Sequence, residues 1–296
     1  MKLRIGTRRS PLALAQATEV ADRLRATGVE VELVGMTTSG DRNTAVTGRA
    51  GLKGMFVAEI VRSLREGDVD LAVHSAKDLP AEDEDDLVLG AVPERASPLD
   101  VLVTREGQLR SGGIVGTSSL RRQAQVFRWR PDVLLSDLRG NVDTRLRKLA
   151  EGGVDAIVLA AAGLMRLGIV PEHAAPMSVS EMIPAPGQGC LAIQARADDA
   201  ATLEALSTLD HGPTRTALLA ERSVMRRLGG GCALPLGAFA DVEDGRIRMV
   251  AAVFTPEGAR EARTAVNGED PEEVAAQAEA DLRAAGAEEI LAAVRP

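Results

Sequence analysis

The sequence predicts an α/β protein of two similar lobes joined by a hinge, followed by a small α+β domain with a three-stranded antiparallel sheet. Three observations predict it. Short apolar runs bounded by turn residues alternate with amphipathic helical patterns through the first two thirds of the chain. The stretch Ile5-Gly6-Thr7, followed by Arg8, Arg9 and Ser10, is echoed by Val115-Gly116-Thr117, followed by Ser118, Ser119, Leu120, Arg121 and Arg122, so one strand-to-helix turn occurs twice. Beyond Pro213 the pattern changes to a helix, three alternating strands and a closing helix.

Residues 2–7 read as a strand, and Ser10 before Pro11 as a helix start, a capping hydroxyl ahead of a proline at the first helical position. Ala13, Ala17, Val20 and Leu24 recur on one face, and Gly28 stops this helix after Thr27. A strand over 29–36 leads into a long loop, 37–54, and a helix over 55–66. Loops of that length are uncommon unless they serve function. VDLAV, residues 69–73, is a buried strand of the parallel type that opens into His74, Ser75, Ala76, Lys77, Asp78, Leu79 and Pro80.

LVLGAV and DVLVT are further strands, with the intervening PERASP as a crossing point between lobes. The second lobe continues with a helix to Arg130 closed by Pro131, the strand VLLS, a helix capped by Asn141 and ended by Gly152-Gly153, and a buried strand with a short helix bearing Arg166. PAPGQGC is a turn-rich return, and CLAIQAR is a strand that rejoins the first lobe, so the chain crosses twice and makes a hinge. In the third region a helix to Leu228 leads through the Cys232 loop to LGAFADVE, RIRMVAAVF and AREARTAV. Asp244-Gly245 and Pro256-Glu257-Gly258 mark the hairpin turns, and a helix from about 271 to 285 closes the domain.

A length of 296 residues allows a large core and two or three domains. The opening MKLRIG reads straight into a strand rather than as a signal peptide, and no apolar run approaches a membrane span, which places the protein in the cytoplasm. Two cysteines, Cys190 and Cys232, do not make a disulfide framework, and neither they nor His74, His173 and His211 fall at zinc spacing. A net charge of −8 with one Trp and no Tyr disfavours a nucleic-acid surface. Against that acidic background, residues 116–148 carry eight Arg or Lys and three Asp, a concentration that suggests a cleft for an anion.

Cys232 follows three glycines, which strip away side chains and let a bulky group approach the backbone beside the sulfur. Taken alone, a lone thiol reads as a small buried hydrophobe. Asp78 lies beyond the carboxyl end of a strand, where open α/β sheets bind ligands, and is the candidate acid/base. The adjacent Lys77 and Asp78 read equally as a surface pair. The acidic run AEDEDD lacks the glycine and ligand spacing of a calcium loop. Arg121, Arg122, Arg139, Arg145 and Arg166 lie at or just after strand-to-helix turns, where a planar fork can hold carboxylate or phosphate. Arg128, Arg130 and Arg147 read as solvated helix faces.

RIGTRRSPLAL, GLKGMF, VHSAKDLP, GTSSLRRQ, LRGNVDTRL, AAAGLMRLG, PAPGQGCLAIQ and GGGCALPLG, in that order, resemble the porphobilinogen deaminase (hydroxymethylbilane synthase) family over nearly the whole chain. The resemblance implies two doubly wound lobes like those of periplasmic solute-binding proteins and a third domain carrying a dipyrromethane cofactor. It implies a transferase that deaminates four porphobilinogen molecules and condenses them head to tail onto that primer. By the same resemblance Cys232 holds the cofactor through a thioether, and Asp78 bonds pyrrole N–H groups and shuttles protons. Arg8, Ser10, Lys77, Thr117, Ser119, Arg121, Arg122, Arg139, Arg145, Arg166 and Gln188 would hold carboxylates of cofactor and substrate, while Lys53 and Phe56 lie beside the loop over the site.

The expected division is residues 1–93 with 190–207, residues 98–184, and residues 212–296. The expected state is a monomer with a small-molecule substrate and neither nucleic acid, membrane nor metal as partner. Met55 for Leu, Asp143 for Gly, Cys190 for Ala and Gln194 for Glu depart from the family's usual pattern. Met55 is volume-conserving, Asp143 adds negative charge near a carboxylate site, and Cys190 reads as a small buried residue. The alternatives are a two-lobed module that binds a small dicarboxylate without chemistry, and a transferase using Cys232 as a transient nucleophile.

Overall fold

The computed structural model describes residues 1–36, 51–82, 84–230 and 234–294; for residues 51–56 only the backbone is described. The first lobe opens with β1 (Lys2–Arg8) and α1 (Pro11–Ala26). Ser10 caps α1 by accepting from Ala13 N at 3.3 Å, and the chain turns at Thr27 and Gly28 as the pattern predicts. Next come β2 (Glu30–Met36), α2 (Gly51–Arg65) and β3 (Leu71–Ser75). Helix α2 begins four residues before the expected Met55, so the two glycines of GLKG lie inside its first turn. Strand β3 starts two residues late because Asp70 is turned into a clamp, accepting from the backbone N–H of Arg4 at 2.8 Å and from its guanidinium at 2.7 Å. A single 3₁₀ turn, Ala76–Asp78, follows, and then β4 (Leu87–Ala91).

The chain crosses to a second sheet with β5 (Asp100–Thr104), β6 (Ile114–Gly116), α3 (Leu120–Trp129), β7 (Leu134–Ser136), α4 (Val142–Ala150), β8 (Ala156–Ala160), α5 (Ala161–Arg166) and β9 (Ala174–Pro176). It then crosses back to form β10 (Leu191–Arg196) and α6 (Ala200–Ser207). The strand orders are β2-β1-β3-β10-β4 and β7-β6-β8-β5-β9. Each sheet therefore has three parallel strands, then one antiparallel strand, then an edge strand. The antiparallel member, β10 or β5, is in each case the strand that arrives from the other lobe. Strand β3, read as the parallel type, is parallel to β1 and antiparallel to β10.

Both sheets are covered on two faces. On the first, Ala17, Val20 and Leu24 of α1 and Leu206 of α6 pack on Leu3, Ile5 and Ile193, while Ile60 and Leu64 of α2 pack on Ala72 and Ala192 opposite. On the second, Leu149 and Leu164 lie on one face with Val103 and Ile157, and Val126 of α3 on the other with Val115 and Val158. The echoed turns are equivalent positions in these repeated layers, since β1 leads to α1 as β6 leads to α3. At the hinge the crossings touch: Ala96 N donates to Gly189 O at 3.3 Å, and Gly189 has φ +89°, with an added Cβ only 2.5 Å from Ala96 O.

The C-terminal domain comprises α7 (Gly212–Arg227), β11 (Leu236–Glu243), β12 (Arg246–Phe254), β13 (Glu261–Gly268), α8 (Pro271–Ala284) and α9 (Ala287–Ala292). Its sheet is antiparallel in the order β11-β12-β13, as the alternation predicts. Val224 and Leu228 pack with Ala238, Met249, Val253, Val274 and Leu282 in a common core. Among the described residues no helix is long and apolar enough to cross a membrane.

Candidate active site

The carboxyl ends of β1, β3, β6 and β8 carry most of the residues that the sequence singles out. Beyond β3 the half-buried Lys77 and Asp78 occupy the 3₁₀ turn, and Lys77 Nζ donates to Gln188 Oε1 at 3.3 Å. Gln188 is fully buried, and its amide donates to Pro98 O at 2.8 Å and to Asp100 Oδ1 at 3.0 Å. It thus ties the Asp78 turn to both crossings, and its side chain is engaged as a bridge.

Asp100, the first residue of β5, is 0% exposed and lies between two buried arginines. Arg122 donates to Asp100 Oδ1 at 2.7 Å and to Val158 O at 2.9 Å, and Arg121 stands 2.8 Å from Asp100 Oδ2 while donating to Ile183 O at 2.6 Å. Burial alone would push the Asp100 carboxyl up; the Arg121 and Arg122 guanidiniums outweigh it and hold the group well below the usual carboxylate range. The paired arginines are therefore turned inward, contributing charge to the cleft while their forks hold protein atoms. Two guanidiniums against one carboxylate leave an excess positive charge, and Arg121 Nε is buried with no hydrogen-bond partner.

Arg145, in the first half of α4, extends this positive field. Burial and the neighbouring Arg122 guanidinium push it down to about 10, against the pull of the Asp78 and Asp137 carboxylates. Asp78 of the first lobe and Arg145 of the second thus act on one another across the cleft. His74, at the end of β3, is pushed down to about 4 by burial, with Asp78 and Gln194 opposing, so the ring stays neutral near pH 7.

The remaining residues divide. Ser10 and Ser119 cap α1 and α3, the latter accepting from Arg122 N at 3.5 Å. Thr117 is buried, and its hydroxyl accepts from Ser119 N at 3.3 Å. Arg8 is half-buried at the end of β1. Arg166 reaches across the cleft to Glu19 on α1 at 2.9 Å and donates to Gly189 O at 3.3 Å. Arg139 is exposed and paired with Asp137 at 3.1 Å. The exposed Asp143 lies in the first turn of α4, and Cys190 is buried, its thiol pushed up to about 12 by that burial. Cys232 and the loop 37–50 lie outside the described residues, as do the side chains of Lys53, Met55 and Phe56.

Arg128, Arg130 and Arg147, read as solvated, pair with Glu261, Asp132 and Glu151. Sequence reasoning missed Asp100, whose signal is an acidic residue opening an otherwise apolar strand. It also missed the buried pair of Arg95 and Glu221, 2.7 Å apart at the hinge. Among the described residues no group of three or more His, Cys, Asp or Glu side chains is placed to hold a metal.

The family model described as "Porphobilinogen deaminase, dipyromethane cofactor binding domain" matches residues 3–204, and "Porphobilinogen deaminase, C-terminal domain" matches residues 216–284. The chain is 47% identical to a porphobilinogen deaminase of Brevibacillus brevis, over 99% of this chain and 97% of that one. It is 47% identical to one of Desulforudis audaxviator, over 98% and 97%. A periplasmic substrate-binding protein of an ABC transporter from Coxiella burnetii aligns at a TM-score of 0.43 and 16% identity, over 72% of this chain and 93% of that one. The sequence matches do not favour the binding-module alternative.

Proposed function

Because the chain belongs to the porphobilinogen deaminase family, transferases of tetrapyrrole biosynthesis with a dipyrromethane cofactor, we propose how its own residues divide the work. The enzyme deaminates and condenses porphobilinogen head to tail, releasing hydroxymethylbilane and ammonia. The observation that carries the site assignment is the cluster at the cleft, where Lys77, Arg121, Arg122 and Arg145 gather around Asp78 and Asp100.

That cluster fits a group bearing several carboxylates. Four cations outnumber the three carboxylates of Asp78, Asp100 and Asp137, Arg145 is depressed by burial and by a like charge, and one buried Arg121 nitrogen lacks a partner. Arg8, Lys77, Arg121 and Arg145, with the hydroxyls of Ser10, Thr117 and Ser119, would hold the cofactor, attached through Cys232. When bound, the dipyrromethane supplies a pyrrole with a free α-carbon as acceptor. Arg122 and Gln188 hold the frame through Asp100, and Arg166 exchanges Glu19 for a substrate carboxylate.

Asp78 does the proton work. Loss of ammonia from porphobilinogen leaves positive charge on the ring and its methylene, and a carboxylate beside the ring N–H stabilises it and then accepts the proton released on bond formation. A carboxylate within the field of the Arg145 guanidinium suits that role, and the neutral His74 behind it adds no competing charge. In the holoenzyme, Asp78→Asn retains bound pyrroles by mass and loses turnover by about 100-fold or more, measured as ammonia release. Near-normal turnover of that variant would remove Asp78 from the mechanism.

We place the enzyme in the cytoplasm as a monomer, with no nucleic-acid or membrane partner. The proposed domain division is residues 1–93 with 190–207, residues 98–184 and residues 212–296, which the strand orders support.

A further inference from the structure

The Asp78 turn is held from outside its own lobe. Three residues past Asp78, the side chain of Ala81 is 2% exposed and sits in the apolar core of the C-terminal domain with Ala217, Ala220, Val224 and Met225. The carbonyls just before and at this point accept from Arg222 of α7, Pro80 O at 2.9 Å and Ala81 O at 3.4 Å. Arg222 is itself 4% exposed, and a buried guanidinium is stable only where its donors are matched. A third contact falls on the same residue: a Cβ added to Gly230 would stand 2.9 Å from Ala81 Cβ and 2.6 Å from Met225 O. Gly230, two residues ahead of Cys232 in the sequence, thus packs directly against the segment that follows Asp78.

We propose that Arg222 is a positioning residue for the condensation, fixing segment 77–81 to the helix that leads into the Cys232 loop. It touches no substrate and acts through Asp78, so this inference rests on the proton role assigned to that carboxylate. Helix α7 thereby fixes the Asp78 turn to the C-terminal domain. The neighbouring Glu221 points the other way along the same helix turn, accepting from Gly187 N at 2.6 Å and Ala240 N at 2.7 Å, so α7 grips the hinge and the Asp78 turn at once.

The test compares three holoenzyme variants: Arg222→Met, which keeps the apolar stem and removes the donors, Arg222→Lys, which keeps the charge and part of the bonding, and Asp78→Asn. With bound pyrroles matched by intact mass, Arg222→Met loses about tenfold or more in kcat while KM for porphobilinogen stays within about twofold. Arg222→Lys recovers part of the loss, and the acidic limb of the kcat–pH profile moves in both. A folded, pyrrole-bearing Arg222→Met with wild-type kcat and pH profile overturns the proposal. Should Arg222→Met fail to fold, Arg222→Lys decides, and a wild-type pH profile with losses that track its melting temperature overturns it equally. Normal turnover by Asp78→Asn would show that the reading of Asp78 had failed, and the positioning role through it falls too.

Discussion

Against the C-terminal domain, the first lobe and its hinge present buried charge with its donors and acceptors matched; against the second lobe, helix α1 meets α5 through one partly exposed ion pair. At the first seam Glu221, 0% exposed, accepts from Arg95 at 2.7 and 3.2 Å and from two backbone N–H groups. Arg95 in turn donates to Gln188 O at 2.9 Å and lies 5.0 Å above the Phe239 ring. At the second seam Arg166 meets Glu19, which is 27% exposed and shared with Arg23. Desolvated charge is costly to separate, whereas a wetted pair exchanges partners readily. The contrast makes the first seam the costlier of the two to open, while the α1–α5 pair exchanges partners at little cost.

The largest expected effect tests the rigid seam. Glu221→Ala strands the Arg95 guanidinium and the Gly187 and Ala240 amides, and destabilises the protein by about 3–5 kcal/mol in urea unfolding. A loss under about 1 kcal/mol would show that the two seams are alike.

Next is the pH dependence of the buried ring behind Asp78. The His74 pKa falls from the ordinary 6.5 in the unfolded chain to about 4 when folded, so the unfolded chain binds the extra proton between those values. The neutral ring's contribution is fully present above pH 6.5 and lost as pH falls towards 4, to the extent of about 3 kcal/mol. Urea midpoints between pH 7 and 4 read this slope, which His74→Asn removes. Gln194→Glu would set a carboxylate beside the ring, raise the His74 pKa and flatten the same slope, giving the Gln194 departure a measurable consequence.

A smaller effect belongs to the open seam. Glu19→Gln releases Arg166 at a cost of about 1 kcal/mol or less and lowers KM for porphobilinogen by about two- to fivefold. An unchanged KM would separate Arg166 from substrate binding. Smallest is Arg147→Ala, which removes an exposed pair with Glu151 at 3.7 Å and shifts stability by no more than about 0.5 kcal/mol, read from the melting curve.

What was legible in the sequence was what is local. Ser10-Pro11 and Gly28 bound α1, the repeated Gly-Thr turns mark equivalent positions in two like-ordered sheets, and PERASP and PAPGQGC mark the crossings. What was not legible depends on pairs far apart in the chain. Arg121 and Arg122 look like a free fork until Asp100, across a strand and a turn, is seen to neutralise half their charge. The hydrogen bonds of Gln188 to Lys77, Pro98 and Asp100 span 88 to 111 residues, which no local pattern encodes. Arg222 meets Pro80 across 142 residues, a contact that neither periodicity nor spacing can encode.

The intact mass of the purified protein beside Cys232→Ser tests whether the product grows on a primer held by Cys232. The expected result is an adduct of two pyrrole units, mapped to Cys232 and absent from the variant, with ammonia released when porphobilinogen is added. An unmodified Cys232 that gains no adduct and releases no ammonia on incubation with porphobilinogen would contradict it.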